Sequence, residues 1–287
     1  MPLLNGLGAT IKIMFSLVIM LFILLSTPIL AADGKLLATP GVSQIEGSGG
    51  GGLVPWAQLS GYASQDEIAV NAFCSQAHLN DFRLTSCGAQ LNLYDRVEMS
   101  VAQQKFRINV LNTNIDQNIV GVKTRLYGDL VYSRWPMVSL GMQYKDLNDS
   151  AIAKSLGAKD TTGVDWYLAA SKLHLGAVAG YNLFWNITAR RTDANEMGLL
   201  GFGGPDQDTR LQWEASTAVF LTRGLAVGLE YRQKPDNLGL KESNWSDIFI
   251  AWMPNKSVSI NAAWLDLGTI AGNKNQKGPY FSLTGYY

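Results

Sequence analysis

The stretch IAVNAFCSQAHLNDFRLTSCGAQLNL, residues 68–93, matches itself when written as two extended chains joined at Asn80–Asp81. In that register Ile68 opposes Leu93, Val70 opposes Leu91, Ala72 opposes Ala89 and Cys74 opposes Cys87. The other face sets Asn71 against Gln90 and Ser75 against Ser86. One face is apolar and the other mostly polar. Side chains alternate along a strand, so a slip of one residue would mix the faces, and the register is well specified. Directly opposed residues have Cα atoms ~4.5–5.5 Å apart, within the span a disulfide accepts. A Cys74–Cys87 disulfide is therefore expected in an exported chain; the alternative is two reduced thiols acting as small apolar residues.

The same pattern extends over the rest of the chain. Residues 209–221 and 225–234, folded around Arg223, set Val219 against Val227, Thr217 against Leu229 and Ala215 against Tyr231, with Glu214–Arg232 and Ser216–Glu230 on the opposite face. VSLGMQYK (138–145) alternates without a fault. Strands are expected at 53–63, 67–76, 82–93, 96–106, 119–132, 137–145, 163–171, 175–190, 209–221, 225–234, 245–254, 257–268 and 279–287. Counted back from the C-terminus, their connections run long, short, long, short. The long ones are 269–278, 235–244, 191–208, 146–162 and 107–118; the short ones include Pro254–Lys256, Thr222–Gly224, Lys172–His174 and Ser133–Pro136. A transmembrane antiparallel up-and-down β-barrel, with short turns at one end and long loops at the other, has this plan. An even strand number calls for a fourteenth strand at TPGVSQIEG (39–47). The alternative is twelve strands with residues 33–63 as a plug, which Pro55 favours because proline cannot donate to a central ladder.

The export signal precedes this region. Lys12 is the single charge in residues 1–32, followed by the apolar run IMFSLVIMLFILL (13–25) and the small residues of STPILAA. This is the layout of a signal peptide cleaved after Ala31 or Ala32. The domain reading is a signal peptide at 1–32, an N-terminal segment with a Gly-rich loop at 33–52, and the barrel at 53–287. Charged residues make up 16 % of the chain, against ~25 % in soluble domains. The 23 basic residues balance the 23 acidic ones, so no net field recruits nucleic acid. WYLAASKLHLGAVAGYNLFW (166–185) has the length of a membrane helix, but Lys172 and His174 at its centre make two strands the cheaper reading.

Face parity assigns Glu98, Lys123, Arg125, Asp129, Lys145, Asp165, Arg190, Glu214, Glu230 and Arg232 to the lumen. These charges are expected to satisfy one another in a hydrated interior; the sharper alternative is a selective pore. In a wet lumen Glu214 and Arg232 would each be replaceable at ~0–1 kcal/mol. Trp166, Trp185, Trp213, Trp245, Trp252 and Trp264 are expected on outward-leaning strands, as interfacial anchors. Catalysis has little to work with. The chain has two histidines, and the topology puts His78 and His174 at opposite ends, too far apart to share a Ser–His–acid arrangement. Two histidines and two cysteines do not make a metal ligand set, GSGGGG (47–52) lacks the Lys-Ser/Thr of a phosphate loop, and no cofactor is expected.

EGSGGGGLVPWAQLSGYASQDEI (46–68) and DRVEMSVAQQKF (95–106) resemble an uncharacterised family of proteobacterial outer-membrane proteins, a domain-of-unknown-function family. The resemblance implies outer-membrane location and a barrel, and brings no catalytic or ligand residues. The terminal strand GPYFSLTGYY, with Phe281, Leu283 and Tyr287 on one face, resembles the C-terminal signal such proteins present to the barrel-assembly machinery. Outer-membrane lipids and that machinery are the expected partners, with no nucleic acid. The functional expectation is a porin-like channel for small solutes. A structural or binding barrel with a filled lumen is the alternative, and a barrel enzyme acting on lipids ranks last.

Overall fold

In the computed structural model, residues 35–205 and 209–287 are described. Two short strands come first, β1 (Val42–Ser43) and β2 (Gly49–Gly50), paired with each other and with none of the longer strands. Twelve longer ones follow: β3 (Ile68–His78), β4 (Phe82–Leu93), β5 (Val97–Ile108), β6 (Thr113–Tyr127), β7 (Met137–Leu147), β8 (Thr162–Val178), β9 (Tyr181–Thr192), β10 (Arg210–Thr222), β11 (Leu225–Arg232), β12 (Trp245–Asn255), β13 (Val258–Asp266) and β14 (Lys277–Tyr286). Each pairs antiparallel with the next, and β14 pairs with β3 to close the ring. Among the described residues the barrel thus has twelve strands.

Both hairpin registers read from the sequence are present. Ile68 faces Leu93 and Cys74 faces Cys87 across β3 and β4. Glu214 faces Arg232 and Val219 faces Val227 across β10 and β11. Alternation decides which way each side chain points. Met99, Val101, Val120, Leu140, Leu168, Ile187, Leu229, Ile248 and Leu283 are exposed outside, while Asn71, Ser75, Gln90, Gln104, Gln143 and Asn186 are buried inside. That is the reverse of a soluble sheet and the arrangement of a closed barrel whose outer face meets lipid. No helix among the described residues is long and apolar enough to cross a membrane, so any crossing is made by strands.

Several expectations need correction. The strand number is twelve, not fourteen: residues 39–47 and 53–63 are not barrel strands, and the barrel begins at Ile68 instead of residue 53. GSGGGG and Pro55 give residues 47–55 neither an apolar face for lipid nor a full set of ladder donors. The turn expected at Lys172–His174 is instead at Ala179–Gly180, because β8 runs on to Val178. Lys172 can stay within the strand because its ammonium turns inward and donates to the Asp129 and Val131 carbonyls at 3.2 and 3.4 Å, and to that of Ser133. The loop expected at 107–118 is a tight turn between Ile108 and Thr113, both strands being longer than their alternation suggests. Trp245 faces inward, 3 % exposed, whereas Trp166, Trp213, Trp252 and Trp264 are exposed as expected. A short helix, α1 (Ser150–Ser155), occupies one long loop. The expected signal peptide, residues 1–32, lies outside the described residues.

Candidate functional site: the charged interior

Residues 40–63 are buried without exception, and their polar groups bond to inward side chains around the ring. Ser86 Oγ on β4 and Gln104 Nε2 on β5 donate to the Ile45 carbonyl at 2.6 and 2.8 Å. On β6 Lys123 Nζ donates to the Gly49 carbonyl at 2.8 Å. Ser139 Oγ on β7 donates to the Ala57 carbonyl at 2.5 Å, and the Ala57 amide donates to Ser171 Oγ on β8 at 2.9 Å. Thr188 Oγ1 on β9 reaches the Pro55 carbonyl at 2.8 Å, and Trp56 Nε1 donates to Ser216 Oγ on β10 at 2.8 Å. The Leu53 amide donates to Glu230 Oε2 on β11 at 2.8 Å, and Tyr286 Oη on β14 to the Gly41 carbonyl at 3.2 Å. The segment satisfies part of its own backbone, as where the Gln44 and Ile45 amides donate to the Ser48 and Gly52 carbonyls at 2.8 and 3.0 Å, and groups left over in this buried setting are met by the strands.

The centre of the arrangement is ionic. Glu46 lies within ion-pair distance of Lys145 on β7, of Arg190 on β9 at 3.4 Å and of Arg232 on β11 at 2.7 Å. Lys145 and Arg190 also reach Asp165 at 2.7 and 3.2 Å. Arg190 and Arg232 reach Glu214 at 2.6 and 3.3 Å. Three cations thus face three carboxylates, each side chain at most 7 % exposed. A second pair joins Lys123 to Glu98 at 3.1 Å, and Glu98 also accepts from the Gly49 and Ser60 amides at 3.0 and 2.6 Å. Of the ten lumen residues expected from parity, Glu98, Lys123, Lys145, Asp165, Arg190, Glu214, Glu230 and Arg232 are buried inside. Arg125 and Asp129 sit at the short-turn end, paired at 3.2 Å, with Asp129 in the turn and partly exposed. The hydrated lumen expected from sequence is not what surrounds the eight: residues 40–63 stand where water was expected.

Apolar side chains cover the ionic layer on the long-loop side. Ile45 and Leu53 lie with Leu84, Phe106, Met197, Trp245 and Leu265 around a cavity of about 20 Å³. On the same side Lys234 bridges Glu196 at 2.5 Å and Glu242 at 2.7 Å. Burial raises the Glu242 carboxyl to about 8, and the adjacent Glu196 carboxylate pushes the same way. At the short-turn end a polar cavity of about 290 Å³ is lined by Lys35, Gln58, Asp95, Arg125 and Asp129, among others. The histidines are not brought together: His78 contacts Gln76, and His174 accepts from Trp185 Nε1 at 3.0 Å. Groups of three or more His, Cys, Asp or Glu able to hold a metal are absent among the described residues. Cys74 and Cys87 are joined as a disulfide with Cα atoms 4.1 Å apart. On the terminal strand Phe281, Leu283 and Tyr287 point outward and Tyr286 inward.

Residues 39–284 match the family described as "Protein of unknown function (DUF3034)". The chain belongs to this family. No curated protein matches it. Among solved structures it is similar to the Acinetobacter baumannii outer membrane protein Omp33, at 7 % identity over 78 % of this chain and 100 % of that one, with a TM-score of 0.49. It is also similar to the KdgM porin, at 7 % identity over 76 % and 98 % of the two chains, with a TM-score of 0.46. A third similar structure is the NanC porin, at 11 % identity, 77 % and 100 % coverage and a TM-score of 0.46. Likenesses this distant carry no solute over to this chain.

Glu46, Asp95 and Asp247 escaped the reading from parity. Glu46 has a retrospective signal: it is the sole charged residue between Leu36 and Gln65, and a lone charge in a long uncharged run needs a partner from elsewhere. Asp247 was hidden by the assignment of Trp245 to the outer face, since residues two apart on a strand share a side.

Proposed function

We propose that this protein is an outer-membrane barrel closed at rest, with residues 40–63 as its plug and no steady passage for solutes. The observation that carries the reading is the set of bonds between this segment and inward side chains from β4 through β11 and from β14. Opening the lumen means withdrawing Glu46 from three cations and leaving Glu98 and Glu230 without their amide donors. Leaving buried charges unpaired costs several kcal/mol each. The filled barrel is therefore favoured over the freely open porin, and a porin-like path for small solutes exists only once the segment leaves. Outer-membrane location is supported by the apolar outer face, the ring closure and the signal-like N-terminus.

Planar-bilayer recording tests the closure. The full chain should give no sustained conductance, and deletion of residues 40–63 should give stable steps. Steady conductance of the full chain, unchanged by the deletion, would refute the plug. Fractionation with outer membranes and heat-modifiable migration on gels test the location; recovery as a soluble periplasmic protein would sink it.

A further inference from the structure

The outer wall changes character toward the long-loop end of β3 to β6. One row of register partners, Ala72, Ala89, Val101 and Val120, is apolar. The next row toward the loops is the Cys74–Cys87 disulfide with Gln103 and Asn118. Beyond it Thr85 and Lys105 are partners, and beyond those His78, Arg83 and Arg107 stand side by side. Alternation turns all of these outward, since Phe82, Leu84 and Phe106 between them are buried inside. Arg83, Lys105 and Arg107 are exposed. Arg83 and Arg107 are direct register partners, so their Cβ atoms lie ~4.5–5.5 Å apart, and like charges placed so destabilise each other.

No carboxylate relieves them. Among the described residues the side chains of Arg83 and Lys105 have neither a hydrogen bond nor an ion pair, and Arg107 donates to the neutral Asn112 Oδ1 at 2.6 Å. Asp116, the register partner of Lys105 on β6, is not within ion-pair distance of it. Asp81, in the turn before Arg83, accepts from Gln276 Nε2 at 2.6 Å. The sector also differs from the rest of the rim. Trp166, Trp213, Tyr231 and Trp264 are exposed outside near the same end of β8, β10, β11 and β13, where aromatic rings settle at headgroup level. β3, β4 and β5 contain no Trp or Tyr. Their connections at this end are short, residues 79–81 and 109–112. The Asn109 amide donates to the Asp81 carbonyl at 3.0 Å and Asn80 Nδ2 to the Asn275 carbonyl at 2.6 Å, so the cations stand on a fixed edge of the wall.

We infer that Arg83, Lys105 and Arg107 form a docking surface for the phosphate groups of a lipid in the leaflet at the long-loop end, with its acyl chains against the wall at Ala89 and Val101. A guanidinium fork matches two phosphate oxygens at once, and a lysine adds a point charge. A phosphate between Arg83 and Arg107 turns their repulsion into two charge-assisted contacts. Arg83 is four residues from Cys87, ~13 Å along a strand, and its stem can lie down the wall toward the headgroups while the charge stays wet. A free phosphate ion would make the same contacts but gain nothing from the apolar rows, and salt screens contacts made in water. Continuity of the cations with the apolar wall therefore favours the lipid. Such docking presupposes the outer-membrane location proposed above and holds whether or not the lumen is closed.

The probe is diphosphorylated lipid A, titrated into the full chain folded in neutral maltoside micelles, with retained lipid counted by native mass spectrometry. The wild type should bind it saturably, and lipid A stripped of its phosphates should bind roughly tenfold more weakly or worse. Arg83→Gln and Arg107→Gln should each weaken binding roughly tenfold. Arg191→Gln, the same charge change at an exposed outward position on β9, should leave it unchanged. The first two variants remove one of two exposed like charges, so both should fold and migrate heat-modifiably on gels. Undiminished binding in both, or an equal loss in Arg191→Gln, would overturn the surface. So would equal binding of the stripped lipid, or displacement of lipid A by inorganic phosphate at the lipid's own concentration, which would mark a site for free anions. Location is read separately. A chain that stays soluble beside phospholipid vesicles would overturn the outer-membrane reading and the surface with it, whereas one that inserts without preferring the phosphorylated lipid overturns the surface alone.

Discussion

Replacing Glu46 with glutamine keeps the side chain's shape and removes its charge. In the wild type the central layer is neutral, with Lys145, Arg190 and Arg232 against Glu46, Asp165 and Glu214. Glu46→Gln leaves three cations against two carboxylates, and Lys145, Arg190 and Arg232 each lose a contact with Glu46. An exposed ion pair contributes ~0–1 kcal/mol. Removing one partner of a buried pair costs ~3–5 kcal/mol, because the other charge stays out of water. Glu46 is 0 % exposed and its partners at most 7 %, so the larger figure applies, lowering the folding equilibrium constant by roughly two to four decades. Reversible denaturant unfolding in lipid vesicles, followed by tryptophan fluorescence, measures it. Glu46→Gln combined with Lys145→Met restores two cations against two carboxylates and should recover most of the loss. A loss under ~1 kcal/mol for the single variant would show the layer to be hydrated and the plug loosely held. By the same reasoning Arg232→Ala, harmless in a wet lumen, should be strongly destabilising here, since it strands part of Glu46 and Glu214.

Alkylation without prior reduction, read by mass spectrometry, should leave Cys74 and Cys87 unmodified, and the double alanine variant should lose little stability because the β3–β4 ladder already closes that loop. Two modified cysteines would refute the bridge. The raised Glu242 carboxyl gives the loop between β11 and β12 a pH response of known sign. A folded pKa of about 8, above the ordinary carboxylate value, means the folded state binds the extra proton, so its contribution is present at acid pH and is lost as pH rises through about 8. Exchange of the Ala271 amide, which donates to Glu242 Oε1 at 2.8 Å, should accelerate beyond the base-catalysed trend as pH rises from the ordinary carboxylate value to about 8, and follow that trend above it. In Glu242→Gln the excess should vanish; its persistence would place the titration elsewhere. Tyr287→Asp should lower assembled barrel in the membrane fraction, whereas Tyr286→Phe should assemble normally and lose only the hydroxyl's bonds to Ser259 and Gly41. Equal assembly of Tyr287→Asp and wild type would remove the terminal strand as an assembly signal.

The pairing of β3 with β4 and of β10 with β11 was legible in the sequence because a hairpin's register depends on residues close along the chain. Alternation with a period of two, together with a tight turn, leaves one register that keeps Ile68, Val70, Leu91 and Leu93 on a single face. The inward direction of Glu214, Glu230 and Arg232 followed from the same parity. The number of strands and the contents of the lumen are decided at long range. Lys145 and Arg232 lie 99 and 186 residues from Glu46, the carboxylate they share, and Leu53 donates to Glu230 across 177 residues. Pro55 and the glycine run speak locally against barrel wall at 47–55, but nothing local marks Val42 as lumen filling, because a short apolar alternation fits either place. Only ring closure at twelve strands, with an interior that demands backbone donors for Glu98 and Glu230 and a counter-charge for Lys145, Arg190 and Arg232, puts residues 40–63 inside.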